Sequence, residues 1–144
     1  MTIRKEAKGL GMPWEAVYGY AQAVKVGDTI YLSGQLSHDE AGNFVGPAPL
    51  DDQGRILDHS NMEIQMRQTY VNAKKLLELY GATLDNVVEE VFYVTDMDAA
   101  FAVAGPVRKE AYGTGKPDVA STILVTPRLA LPPQLIEIKF IARV

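Results

Sequence analysis

The chain has 144 residues, no cysteine, and a formal net charge of -4. Missing thiols exclude disulfides, thiolate metal sites and a cysteine nucleophile together, and a mildly acidic chain without a basic run is a poor nucleic-acid binder on electrostatic grounds. Hydrophobic residues make up 47%, which fits one folded domain over residues 1–144, and no apolar run approaches the roughly 20 residues that span a bilayer.

Met1–Pro13 reads as a loose arm broken by Gly9, Gly11 and Pro13. It carries charge but no apolar h-region, so a secretory signal is not expected and a cytoplasmic location is. Val17–Val26 and Thr29–Leu36 have strand composition and flank Gly27-Asp28, which predicts a β-hairpin. Gly34 interrupts the second strand. A glycine there marks a bulge or the close approach of a ligand or another backbone, and both readings stay open.

Ser37–His59 is polar and turn-rich and reads as a long loop. It holds both histidines, His38 and His59, without the spacing of a metal site. The clearest helix follows. Ser60 with Glu63 has the form of a capping box; Met62, Met66, Tyr70, Ala73, Leu77 and Tyr80 form one apolar stripe, and Gly81 stands where such helices stop.

Val87–Val94 reads as a central strand. Asp96 or Asp98 can cap a second helix over 99–112, in which Gly105-Pro106 predicts a kink or a division, and Gly113-Thr114-Gly115 ends it. Val119–Thr126 is rich in β-branched residues and reads as a strand. Pro132-Pro133 punctuates the loop after it. In Leu135–Arg143 the apolar Ile136, Ile138, Phe140 and Ala142 alternate with Glu137, Lys139 and Arg143. The apolar set predicts a core beneath the sheet. The charged set faces either solvent or a subunit interface that holds a site. The order β-β-α-β-α-β-β predicts an α+β fold, two helices layered on one mixed sheet.

Most familiar chemistries lack their parts. No Gly-x-Ser-x-Gly elbow, Walker pattern or dinucleotide fingerprint is present. What remains is a carboxylate, Glu137, on a strand face, with Tyr18 and Tyr20 on another.

Several segments, in order, resemble the RidA/YjgF family, also known as L-PSP endoribonuclease-like proteins. They are Tyr20–Val24, Gly27–Gln35, Asn72 in the first long helix, Leu84–Val88, Val91–Val94 with Asp96, and Leu135–Ile138 with Ile141-Ala142. The resemblance implies a chorismate-mutase-like α+β fold whose sheets pack into a central barrel in a homotrimer. It also implies hydrolysis of reactive enamines or imines to a carbonyl compound and ammonia, in a cleft between subunits, with a small-molecule ligand and neither cofactor nor metal. By the same resemblance Tyr20 is the site tyrosine, Gly34 the strand glycine whose backbone meets the ligand, and Glu137 the carboxylate that positions or activates water.

The chain departs from the pattern at one point. Active deaminases carry an arginine in a Pro-x-Arg-Ser run, which forks onto the substrate carboxylate. Here the run is Val119-Ala120-Ser121-Thr122, with Ala120 at the arginine position and Thr122 offering only a hydroxyl. Losing such a contact costs about 2–5 kcal/mol where its partner is desolvated. Arg128, after the strand, and Arg108, on the second helix, are the candidates to supply the charge from elsewhere. Ala120, Ser121, Thr122 and Arg128 therefore join Tyr20 and Gly34 as expected ligand contacts. Two classes stay open: an imine or enamine deaminase with an atypical substrate, and a non-catalytic small-molecule binding or sensing protein that uses the same cleft.

Overall fold

The computed structural model describes residues 1–144. Its centre is a six-stranded mixed sheet in the order β1-β2-β3-β6-β4-β5, built from β1 (Glu6–Lys8), β2 (Ala23–Val26), β3 (Thr29–Gln35), β4 (Val87–Val94), β5 (Ala120–Val125) and β6 (Ile136–Arg143). All neighbours run antiparallel except β4 and β5, which are parallel. Helix α3 (Met97–Tyr112) makes the connection between that parallel pair, as parallel strands require. Helix α2 (Met62–Glu78) packs on β3 and β6 and against α3.

The core lies between the helices and one face of this sheet. Ile136, Ile138, Phe140 and Ala142 of β6 are fully buried, as are Met66, Tyr70, Ala73 and Leu77 of α2. Both periodicities are therefore those the sequence predicts, period two on β6 and the three-four stripe on α2. The α2 stripe brings Tyr70 edge-to-face against Phe140 and Phe92.

Near the N-terminus the structure departs from the expected arm and long first strand. Glu6–Lys8 pairs with β2 as an edge strand, and Pro13–Tyr18 forms a short helix, α1. Pro13 sits where the helix needs no N–H, Glu15 accepts from the Met12 backbone N–H at 2.6 Å, and Gly19 ends the helix at φ 72°. These local signals outweigh the β preference of Val17 and Tyr18, so the strand begins only at Ala23. Two helix details also differ. Ser60 donates to Asp58 and Glu63 pairs with Arg67 at 3.1 Å, so Asn61 precedes α2 and the expected box does not close. Pro106 neither ends nor divides α3.

The second face of the sheet is covered by neither long helix. Strand register sets its side chains in rows. Tyr31, Ile141, Glu89 and Ala120 form one row, Lys139, Val91 and Thr122 the next, and Glu137, Tyr93 and Leu124 the third. Tyr31 and Leu124 are exposed there.

Candidate functional site

The cleft grows from a single irregularity. The β3–β6 pairing loses register between Leu32 and Gln35, so Gly34 sits in a bulge beside Glu137. A Cβ built on Gly34 would lie 2.7 Å from the Glu137 Cγ, closer than packed carbon atoms approach. The Glu137 side chain occupies the space a Cβ would fill, so the bulge reading holds and the close approach is that of a side chain rather than of a ligand or another backbone.

Around Glu137 the chain forms a cleft of about 250 Å³. Trp14 and Tyr18 of α1 and Tyr20 after it supply an aromatic wall. Leu36, Ala130 and Leu131 add aliphatic surface, and Ser33 lies beside Gly34. Ser33 donates to the Ala21 carbonyl at 2.8 Å, which ties the strand to the segment bearing Tyr20. Behind the wall, Trp14 stacks edge-on against the buried His38 with ring centroids 5.0 Å apart, and the His38 Nδ1 lies 2.8 Å from the Asp39 carbonyl. His38 thus packs the wall from behind.

Burial raises the Glu137 carboxyl above its ordinary range, partly countered by a 3.2 Å hydrogen bond donated by the Gln134 side-chain amide. No lysine, arginine or histidine lines the cleft. Asp28, Asp39, Asp51 and Asp58 move the opposite way, held low mainly by hydrogen bonds. Glu137 is therefore a desolvated acid that holds its proton to a higher pH than an ordinary carboxylate, which suits it to proton exchange with a ligand. The Tyr20 hydroxyl is pushed up by burial and by the charges of Glu15 and Glu137, so it remains a protonated donor.

The structure brings together three of the expected site residues, Tyr20, Gly34 and Glu137, while the other four do not line the cleft within the chain. Ala120 lies two strands and two rows away from Glu137, roughly 16 Å at ordinary sheet spacings; Thr122 shares its face one row nearer. Ser121 points to the helix side, where its hydroxyl accepts from Arg108 at 2.8 Å. Arg128 is exposed in the loop that leads to Ala130. Arg108 is held on the far side of the sheet by the fully buried Glu90, 2.5 Å from its Nε, which also accepts from Tyr70 and Tyr112. It therefore does not reach the Glu137 face. Sequence reasoning missed Trp14, which falls between the arm and the first expected strand, and Ala130 and Leu131, assigned to a bare loop. Pro13 followed by Glu15 was the one signal for the helix that carries Trp14.

Comparisons with known proteins agree with this architecture. The family model described as Endoribonuclease L-PSP matches residues 12–144. A RutC family protein from Pyrococcus abyssi is 31% identical over 98 residues, 68% of this chain and 67% of that protein. A 2-iminobutanoate/2-iminopropanoate deaminase from Dermatophagoides farinae is 29% identical over 93 residues, 65% of this chain and 62% of its own. Among solved structures, a YjgF-family protein from Mycobacterium tuberculosis superposes with a TM-score of 0.74 at 24% identity, covering 98% of this chain and all (100%) of that one. The Rid-family protein YyfA from Yersinia pestis gives 0.76 at 24%, with the same coverage. At that identity the two structures speak for the fold.

Proposed function

Because the chain belongs to the Endoribonuclease L-PSP family, also called RidA/YjgF, we propose that it is a deaminase that hydrolyses a reactive imine or enamine to a carbonyl compound and ammonia. The observation that carries this reading is Glu137, a carboxylate seated in the space left by Gly34, desolvated, and facing an aromatic cleft.

An imine is already electrophilic, so the protein's task is to orient a water and move a proton. With the imine nitrogen protonated, Glu137 takes a proton from that water as its oxygen bonds to the iminium carbon, and the C=N π pair moves to nitrogen to leave a neutral amine. Returning the proton to nitrogen turns the amine into a leaving group. The C–N bond then breaks with its electrons on ammonia, and the ionised Glu137 takes the hydroxyl proton as the C=O bond forms. Tyr20, protonated and at the cleft wall, donates to the ligand. The substrate is atypical in this reading, since Ala120 offers no donor to a carboxylate.

The uncovered sheet face supports a homotrimer in which copies pack these faces together. Tyr31, Ile141, Val91, Tyr93 and Leu124 give it apolar area, and Ala120 and Thr122 approach Glu137 only from another copy. A solution mass equal to three chains of 15.8 kDa is expected; a stable monomer contradicts this arrangement.

Imines generated by an amino-acid oxidase and trapped with semicarbazide test the activity. Faster loss of imine with the protein, abolished by Glu137→Gln in a folded sample, supports the deaminase. The absence of cationic residues from the cleft favours a second reading, a non-catalytic small-molecule binding protein, which predicts no acceleration on any imine. It also speaks against RNA, whose phosphates need positive charge.

A further inference from the structure

Resting on the imine-hydrolase reading, we infer that the cleft selects iminium cations that carry a flat apolar group and no carboxylate, such as those formed when arylalkyl amines are oxidised.

The lining carries the argument. Its one carboxylate is Glu137, and it holds no lysine, arginine or histidine. A ligand carboxylate would enter as a second negative charge in a partly desolvated space with nothing to pair it, which is the costly way to bury a charge. A protonated imine does the opposite: it compensates Glu137 and relieves the desolvation of the acid. Gln134 is the one neighbour that lowers the Glu137 carboxyl, and no cation contributes. A single amide hydrogen bond leaves the negative charge available to a cationic ligand.

The aromatic wall points the same way. Trp14, Tyr18 and Tyr20 present ring surface, which attracts cations through the ring quadrupole and stacks on flat groups. Tyr18 is 68% exposed and Tyr20 40% exposed, so ring surface is open to a ligand. Leu36, Ala130 and Leu131 extend that surface with aliphatic carbon. On the open sheet face the β5 residues Ala120, Thr122 and Leu124 are neutral, and the cation of these rows, Lys139, is exposed one row from Glu137 and outside the cleft lining.

Benzamidine is a stable planar cation that resembles an aryl iminium, and benzoate is its anionic counterpart. Trp14 is the single tryptophan of the chain and lines the cleft, so its fluorescence reports occupancy. Benzamidine is expected to shift Trp14 emission at a concentration at least tenfold below that needed for benzoate, and Glu137→Gln to weaken benzamidine by tenfold or more. In turnover, imines made by an amine oxidase from benzylamine are expected to be consumed with a kcat/KM at least tenfold above that for 2-imino acids made by an amino-acid oxidase. Benzoate binding as well as benzamidine, or 2-imino acids being preferred, overturns the inference while the hydrolase stands. Selective benzamidine binding without turnover of either imine class overturns the hydrolase and supports the ligand class. Arg128→Ala provides a further arm: if it removes binding of benzoate, a cation does serve the cleft and the inference fails.

Discussion

Gly34 and Glu137 face each other across β3 and β6, and the side chain missing from one is the room taken by the other. Gly34→Ala therefore acts on the carboxylate rather than on the backbone, whose φ is not in the left-handed region at this position. The added methyl displaces Glu137. Overpacking of this kind costs about 1–3 kcal/mol, which at this chain length corresponds to a fall in Tm of roughly 2–12 °C. Misplacing a catalytic group by about 1 Å can cost on the order of 100-fold in rate. A loss of kcat/KM near that size in a protein that still melts cooperatively is the expected result. Unchanged turnover would show that Glu137 does not work from this position.

The raised Glu137 carboxyl has a consequence for stability. Its pKa is higher folded than unfolded because burial disfavours the charged form. Between the unfolded value, about 4.3, and the folded one, the native state binds more protons than the unfolded state. Stability therefore falls as pH rises through that window. Glu137→Gln removes the penalty, so the variant is expected to melt above the parent at pH 8 and to converge with it near pH 4. Thermal melts across that range decide the point, and a variant less stable than the parent at pH 8 would contradict the burial argument. In the active protein the same shift places the acid limb of the pH–rate profile above the ordinary carboxylate range, since the base must be ionised to take a proton from water.

Much of this architecture was legible in the sequence because strong periodic patterns carry it. The α2 stripe and the alternation of β6 report burial directly, and the Gly27-Asp28 hairpin follows from a tight turn. Short elements were harder. In α1, six residues depend on Pro13, Glu15 and Gly19 while Val17 and Tyr18 favour a strand, and β1 is three residues long with no pattern of its own. The site divided along the same line. Glu137 could be placed from alternation and its family resemblance. Trp14 could not, since its role depends on α1 folding back over the bulge, a tertiary relationship with no local signature. Arg108 was misleading in sequence, because only the fold shows that Glu90 holds it on the helix side.

That buried group makes a prediction separate from the active site. Glu90 is fully buried and takes hydrogen bonds from Tyr70, Tyr112 and Arg108. Burial and the Glu90 charge keep both phenols protonated far above their usual range. Arg108→Met leaves the Glu90 carboxylate without its cation, and breaking a buried pair from one side costs about 3–5 kcal/mol. A fall in Tm of roughly 6–20 °C is expected on that basis. Adding Glu90→Gln removes the orphaned charge and is expected to recover part of the loss. Turnover per folded molecule stays unchanged in both variants, because the cluster lies across the sheet from Glu137. A drop in activity without a drop in Tm would instead assign Arg108 to the ligand.

Ala120 provides the sharpest test of how copies of the chain meet. Within one chain it lies on the open face, two rows from Glu137 and roughly 16 Å away by sheet spacings. An arginine there cannot serve the cleft of its own chain. If three copies pack these faces together, β5 of a neighbour approaches the Glu137 cleft and Ala120→Arg brings a guanidinium to the ligand. A desolvated guanidinium–carboxylate contact is worth about 2–5 kcal/mol in such sites, so kcat/KM for 2-imino acids is expected to rise by tenfold or more relative to imines without a carboxylate. Mixed oligomers separate the alternatives. Co-assembly of Ala120→Arg/Glu137→Gln chains with parent chains is expected to retain 2-imino acid turnover, because the arginine and the carboxylate come from different copies. No gain in a mixture confirmed as trimeric would mean that β5 of the neighbour does not close the cleft.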